Sequence, residues 1–254
     1  MKIGLLVTAR MGSTRLHDKH LKPLNGRPAL SYLLERIEHT FYTPALEGLA
    51  QQLFIATGNA SANTALSVLS NDHVRLFHGD DDNIPLRHLQ LEKAHSLDAI
   101  VSIDGDDVFC SPEAMWAVYE SLKQGLPLVK TTGYPFGMNA WGYSCEALAQ
   151  AVSTQDHGLL ETGWGRAFDA IEAKVIELDC ADAEKVRATL DYPLDLDFFS
   201  TVIAHIPEWQ TLSTPDLVKK IVAQDLHLVN ASLHDAYWQN FHAQMNQEKS
   251  RALS

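Results

Sequence analysis

The sequence predicts an α/β protein with a mostly parallel central sheet, flanking helices and a smaller lid or β excursion. Three observations predict it. Short apolar runs of strand length recur through the first 130 residues. Stretches of helical periodicity separate them. The runs are apolar at consecutive positions, as strands buried on both faces require.

Ile3-Gly4-Leu5-Leu6-Val7 is the first such run, followed by a loop rich in Gly, Ser and Arg. Pro28 to Glu38 reads as a helix with Pro28 near its first turn and Leu30, Leu33, Leu34 and Ile37 on one face. Leu53 to Ala56 and Val74 to Phe77 read as strands, with a helix from Asn63 to Ser70 between them. Pro85 to His95 is the next helix and Ala99 to Ile103 the next strand. Ser111-Pro112-Glu113 is a helix start, with serine as cap and proline at the first position. The alternation is that of a doubly wound sheet. Beyond residue 130 it loosens. Thr131 to Gly142 reads as a loop or β excursion over a site, Lys174 to Leu178 as a strand, and Asp195 to His205 and Pro215 to Ala223 as helices. The last fifteen or so residues are polar and read as a loose helix.

Composition narrows the function. The 254 residues carry a net charge of −12, which disfavours nucleic acid and anionic membranes as partners. Residues 1–36 nevertheless hold seven basic residues and two acids, a local +5. A basic island on an acidic chain suits a small polyanion such as a triphosphate. The cysteines Cys110, Cys145 and Cys180 show no metal-binding spacing, and their odd number fits a reducing compartment. No apolar stretch suits a signal peptide or a membrane span, so the expected location is the cytoplasm.

Two segments fall where open parallel sheets bind ligands, beyond the carboxyl ends of strands. In Thr8 to Lys22, Gly12 and Ser13 permit close approach of backbone N–H groups to phosphate oxygens, and Arg10, Arg15, Lys19 and Lys22 supply charge. The loop matches neither GxxxxGK[ST] nor GxGxxG. In Ser102 to Asp107, Asp104, Asp106 and Asp107 can hold Mg²⁺ through one or two oxygens, the triphosphate supplying more. Turn-forming carboxylates are the alternative there. A third segment, Leu190 to Asp197, opens a helix; Asp195 suits its cap or first turn, and Asp191 is a candidate second metal ligand.

Together these segments resemble the cytidylyltransferases of the spore-coat polysaccharide biosynthesis protein F family. More distantly they resemble the CMP-sugar synthetases for 3-deoxy-manno-octulosonate and acylneuraminate. The family motif A-R-x-G-S-[ST]-R-L-P-x-K-x-L-x-P-L-x-G-x-P-L is matched from Ala9 to Ala29, including Ser13, Thr14, Arg15 and Lys19. Ile103-Asp104-Gly105-Asp106 with Pro112 matches its strand–GD motif, and Leu190 to Leu196 its V-D-T-P-x-D-L motif. Gly79 to Asp82 with Arg87 is similar to G-S-E-D-x-x-x-x-R. The likeness covers roughly residues 1–112 and, more weakly, 185–205.

The resemblance implies a glycosyltransferase-A-like nucleotide-binding fold and Mg²⁺-dependent transfer of CMP from CTP to a sugar acid or related acceptor; a different acceptor, such as a phosphorylated sugar or phosphonate, or another base is a second enzymatic reading. Pyrophosphate leaves. Arg10, Arg15 and Lys19 would act on the triphosphate. Ala9, Arg10, Gly12, Ser13, Arg15, Lys19, Thr57 and Arg87 would bind the nucleotide, and Asp106 and Asp191 the metal. One domain over 1–240 is implied, with a nucleotide half at 1–112, an acceptor and second-metal half at 113–240, and a polar tail at 241–254. A homodimer is common among the relatives. A glycosyltransferase-like protein, with Asp104-Gly105-Asp106 as its metal motif, and a non-catalytic nucleotide-binding relative are the alternatives. His17 replaces the family's proline before the loop lysine and Asp18 its glycine, and Trp141 stands where a glutamate is usual. Leu160 to Arg166 matches the R-E-H-V-T region only faintly. Trp141 and Trp164 read equally as core or as acceptor pocket, and His17 as a candidate triphosphate contact.

Overall fold

The computed structural model describes residues 1–13, 15–41, 52–154 and 158–252. Thr14 of the phosphate-loop motif lies outside them. The elements in chain order are β1 (Ile3–Thr8), β2 (Pro23–Leu24), β3 (Arg27–Pro28), α1 (Ala29–Phe41), β4 (Leu53–Gly58), β5 (Val74–Gly79), α2 (Ile84–His95), β6 (Ala99–Asp104) and α3 (Pro112–Lys123). Then follow β7 (Leu128–Thr132), β8 (Trp141–Ser144), α4 (Cys145–Ser153), β9 (Lys174–Glu177), α5 (Pro193–His205), α6 (Thr214–Ala223) and α7 (Leu233–Ala252).

Seven strands form one sheet in the order β5-β4-β1-β6-β8-β7-β9. The first four are parallel, and only β8 runs against its neighbours β6 and β7. The expected mostly parallel sheet with flanking helices is therefore present. Alternate β1 residues serve both faces. Leu5 and Val7 join the cluster built with α1 and α3, whereas Leu6 joins Phe54, Leu91 and Leu148 on the α2 and α4 side. A third apolar cluster packs α5 and α6 around Phe109, Phe198, Phe199 and Trp209.

Strand register positions the site. Thr8 of β1 lies opposite Asp104 of β6, so the loops leaving the two strands emerge side by side. Gly105 N–H donates to the Thr8 carbonyl at 2.8 Å, and a β-carbon at Gly105 would come within 2.7 Å of that same oxygen. Only glycine lets the acidic loop lie this close to the basic one. On the other side, β8 places Trp141 opposite Ser102 of β6 and opposite Lys130 of β7.

The structure departs from the sequence reading in three places. Asn63 to Ser70 is a 3-10 stretch, Ser61–Leu69, without an α-helix. Buried Asn63 explains the tighter winding: its Oδ1 accepts from Met11 N at 2.8 Å and its Nδ2 donates to the Gly58 carbonyl at 3.1 Å. Residues 131–142 are a loop only in their middle, since the ends belong to β7 and β8. The sequence reading omitted α4, although Ser144 Oγ caps it by accepting from Ala147 N at 3.1 Å. Within the polar tail at 241–254, residues 241–252 continue α7, a 20-residue helix.

Candidate active site

A cleft of about 650 Å³ opens at the carboxyl ends of β1 and β6. Ala9, Arg10, Gly12, Ser13, Arg15 and Lys19 line it from the basic loop. Asp104, Asp106 and Asp107 line it from the acidic loop, and Arg87 and Asp191 complete it. Thr57 is fully buried in β4 and does not line it. His17 also stays outside, pairing with Asp18 Oδ2 at 2.7 Å on the surface.

The centre is a charge network. Lys19 Nζ lies 2.5 Å from Asp106 Oδ2 and 3.2 Å from Asp191 Oδ1. Arg15 donates to the same Asp191 oxygen at 2.7 Å, and Arg187 reaches the other at 3.1 Å. Burial alone would push the Asp191 carboxyl up, but Lys19, Arg15 and Arg187 together hold it down at about 2. Burial disfavours the Lys19 charge, and Asp106 and Asp191 more than compensate, so its pKa rises. Asp195, expected as cap or first-turn acid, sits in the first turn of α5, where it accepts from Tyr192 N at 3.0 Å and Asp191 N at 2.9 Å. That capping fixes Asp191 at the mouth of the helix.

The remaining acids behave differently. Desolvation, then the neighbouring Asp106 charge, lifts Asp104 to about 7. Burial, then Asp106 and Asp104, raises Asp107 well above the ordinary carboxylate range. Three acids crowded at one strand end cannot all ionise cheaply without added positive charge. Asp106 and Asp191 already converge on one cation, Lys19 Nζ. Among the described residues, no group of three or more His, Cys, Asp or Glu is arranged to hold a metal. Two convergent carboxylates fit a magnesium ion that takes its remaining oxygens from phosphate and water.

Sequence reasoning missed two anchors of the cleft. Glu161 receives Arg87 Nη2 at 2.6 Å and Arg10 Nε at 3.1 Å. Burial raises its carboxyl even against both guanidinium groups. Leu160 N donates to the Asp82 carbonyl at 2.7 Å, which docks this segment on α2. An acid inside the Leu160–Arg166 stretch was the available signal. The second anchor is α7, whose Tyr237, Trp238, Phe241, Gln244 and Met245 line the cleft. Trp141 and Trp164, read equally as core or pocket, line it as a tilted pair with centroids 5.2 Å apart.

His88 lies buried behind the basic loop. Its Nε2 meets Thr8 Oγ1 at 2.9 Å and its Nδ1 meets the Tyr143 hydroxyl at 2.5 Å. Burial, then the Arg87 charge, lowers its pKa from 6.5 to about 3. A depressed histidine contributes stability that is present above pH 6.5 and is lost as pH falls towards 3. Between pH 7 and pH 5 the wild type should lose about 2 kcal/mol more stability than His88→Gln, measured by urea unfolding at both pH values. Equal losses would contradict a neutral His88.

The cytidylyltransferase family model matches residues 5–160. The chain belongs to the cytidylyltransferase family. The family match covers β1 to α4 and with them the basic and acidic loops. A 3-deoxy-manno-octulosonate cytidylyltransferase of Bartonella bacilliformis is 26% identical over 52% of this chain and 53% of its own length. Spore coat polysaccharide biosynthesis protein SpsF of Bacillus subtilis is 27% identical over 54% of this chain and 56% of its own. The chain thus spans little more than half the length of these curated relatives. Among solved structures, a cytidylyltransferase from Leptospira borgpetersenii shares the fold with a TM-score of 0.77 and 20% identity, over 91% of this chain and 98% of that one. No helix among the described residues is long and apolar enough to cross a membrane. The helix α7, which lines the cleft, and Asp191, just before α5, lie outside the matched stretch.

Proposed function

We propose that this cytidylyltransferase-family chain transfers CMP from CTP to a sugar acid or related acceptor and releases pyrophosphate. One observation carries the reading. The cations Arg10, Arg15 and Lys19 and the carboxylates Asp106 and Asp191 line one cleft at the carboxyl ends of β1 and β6. Cations alone would suit any anion, and carboxylates alone any metal. Their juxtaposition suits a triphosphate carried with magnesium.

In this reading Gly12 and Ser13 offer backbone N–H groups to phosphate oxygens, and Gly12 has the positive φ of 88° such a turn requires. Arg10 and Arg15 turn from their carboxylate partners to the triphosphate. Lys19, held charged by its neighbours, stabilises negative charge that builds on the transferring phosphate. Asp106 and Asp191 would hold the magnesium, which when bound supplies charge neutralisation on the phosphate oxygens. An acceptor oxygen attacks the α-phosphorus, a new P–O bond forms, and the bond from the α-phosphorus to the pyrophosphate oxygen breaks. No side-chain nucleophile takes part. Arg87 and Ala9 lie towards base and ribose in this arrangement, and the nucleotide half of the chain is residues 1–112.

The experiment uses CTP labelled at the α-phosphate, incubated with the protein, Mg²⁺ and a panel of sugar acids. Label recovered in a CMP–acid conjugate, with one pyrophosphate released per conjugate, supports the reading. Label recovered only in CTP and free CMP contradicts it.

A further inference from the structure

The basic loop turns at Gly12 with no packing there to hold it. Gly12 has a φ of 88°, and nothing lies within 4 Å of where its β-carbon would be. Arg10, Gly12 and Ser13 line the cleft, whereas the Met11 side chain packs against the core cluster that β1 builds with α1 and α3. The Met11 backbone ties the loop to a distant part of the chain. Its N–H donates to Asn63 Oδ1 at 2.8 Å, across a separation of 52 residues.

Asn63 is itself held from several sides. It is 4% exposed, in the 3-10 stretch Ser61–Leu69, whose Leu66 and Leu69 join the core. Its Nδ2 donates to the Gly58 carbonyl at 3.1 Å, so one amide joins the end of β4 to the loop that leaves β1. Asn63 N donates to the Ala60 carbonyl at 2.9 Å, and Ala60 N to Asp81 Oδ1 at 2.8 Å. The Asp81 carbonyl in turn accepts from the fully buried Arg87, through Nη2 at 3.0 Å. A side-chain amide suits this place, because it carries both an acceptor and donors and is neutral. A charged group buried there would cost far more. Truncation would leave the Met11 N–H and the Gly58 carbonyl without their partner.

We propose that Asn63 is a positioning residue for the triphosphate: by holding the Met11 N–H, it fixes the turn at which Gly12 and Ser13 offer their own N–H groups to phosphate oxygens. The proposal rests on the cytidylyl-transfer reading above. Backbone donors bind an anion tightly when they are already in place, and less tightly when binding must first order them. The segment after β4 thus acts on the nucleotide through Asn63, whereas Thr57 lies fully buried within the strand. The effect falls on the phosphates, which are the part of the nucleotide that this turn faces.

The test is calorimetric titration, with Mg²⁺ present, of CTP and of inorganic tripolyphosphate, which carries the phosphates without base or sugar. Each variant is titrated well below its own melting temperature, so that unfolding does not enter. Asn63→Ala should raise both Kd values about tenfold. Asn63→Leu fills the space without either hydrogen bond and should match Asn63→Ala. Asn63→Asp keeps an oxygen for the Met11 N–H and should stay within about threefold of wild type. Unchanged affinities in Asn63→Ala, recovery in Asn63→Leu, or an Asn63→Asp variant as weak as Asn63→Ala would overturn the proposal. So would a loss of CTP affinity with tripolyphosphate binding unchanged or absent. Wild-type protein that does not bind CTP would instead overturn the reading beneath it.

Discussion

Asp191→Ala should lower stability by about 3–5 kcal/mol, roughly a 10 °C fall in melting temperature for a chain of this size. The carboxylate is 2% exposed, and Arg15, Lys19 and Arg187 all point at it. Removing it leaves three positive groups close together with too little negative charge and little water. Its ordinary pKa of 3.8 falls to about 2, so the wild type's gain is present above about pH 4 and is lost as pH falls through 2. Asp106→Ala is the control. Its side chain is 24% exposed and, among the described residues, its ion pair is with Lys19, so its loss costs about 1 kcal/mol. Equal melting temperatures for the two variants would show that Asp191 does not organise the network.

Lys19→Met should cut CMP transfer by about 10²- to 10³-fold while the fold persists. Methionine nearly matches the volume of the lysine stem and removes only the charge. Asp106 and Asp191 then face each other without the cation that lies between them. Metal-free protein should melt earlier, and added Mg²⁺ should restore more of the melting temperature than it adds to wild type. Transfer within about threefold of wild type would show that Lys19 serves the resting structure rather than the reaction.

Much of this site was legible because it depends on local chemistry. Alternating apolar runs and helices state the sheet, and strand ends state where its ligand lies. Glycine, arginine and lysine in Ala9 to Lys22, and acids in Asp104 to Asp107, state the charge of each loop. Register then brings Thr8 and Asp104 together, a long-range consequence of pairing that no local pattern carries. The Asp191 network is less legible. Asp191 and Asp195 look like helix-start acids, and Asp195 is a first-turn acid that accepts from the Asp191 and Tyr192 N–H groups, yet Arg187 and Lys19 converge on Asp191 only in the folded chain.

Other features were hidden by their composition. Lys130 and Trp141 sit in short strands where polar and aromatic residues mix, so 131–142 looked irregular although its ends pair. In α7, polar residues outnumber apolar ones, and the half-buried Tyr237, Trp238, Phe241 and Met245 show only as a stripe at helical spacing. Thr57 looked like a nucleotide contact by resemblance, but β4 buries it completely. Glu161 carried no signal beyond a faint family likeness, because its partners Arg10 and Arg87 are distant in sequence.

The most direct measurement of the central claim is a thermal-shift comparison of CTP, UTP, ATP, GTP and UDP-glucose, each with and without Mg²⁺. A ligand that binds only the folded chain must raise the melting temperature. The account predicts a shift that is largest for CTP, grows with Mg²⁺, and loses its Mg²⁺ dependence in Asp106→Ala. No shift with any triphosphate, or a larger one with UDP-glucose, would contradict it.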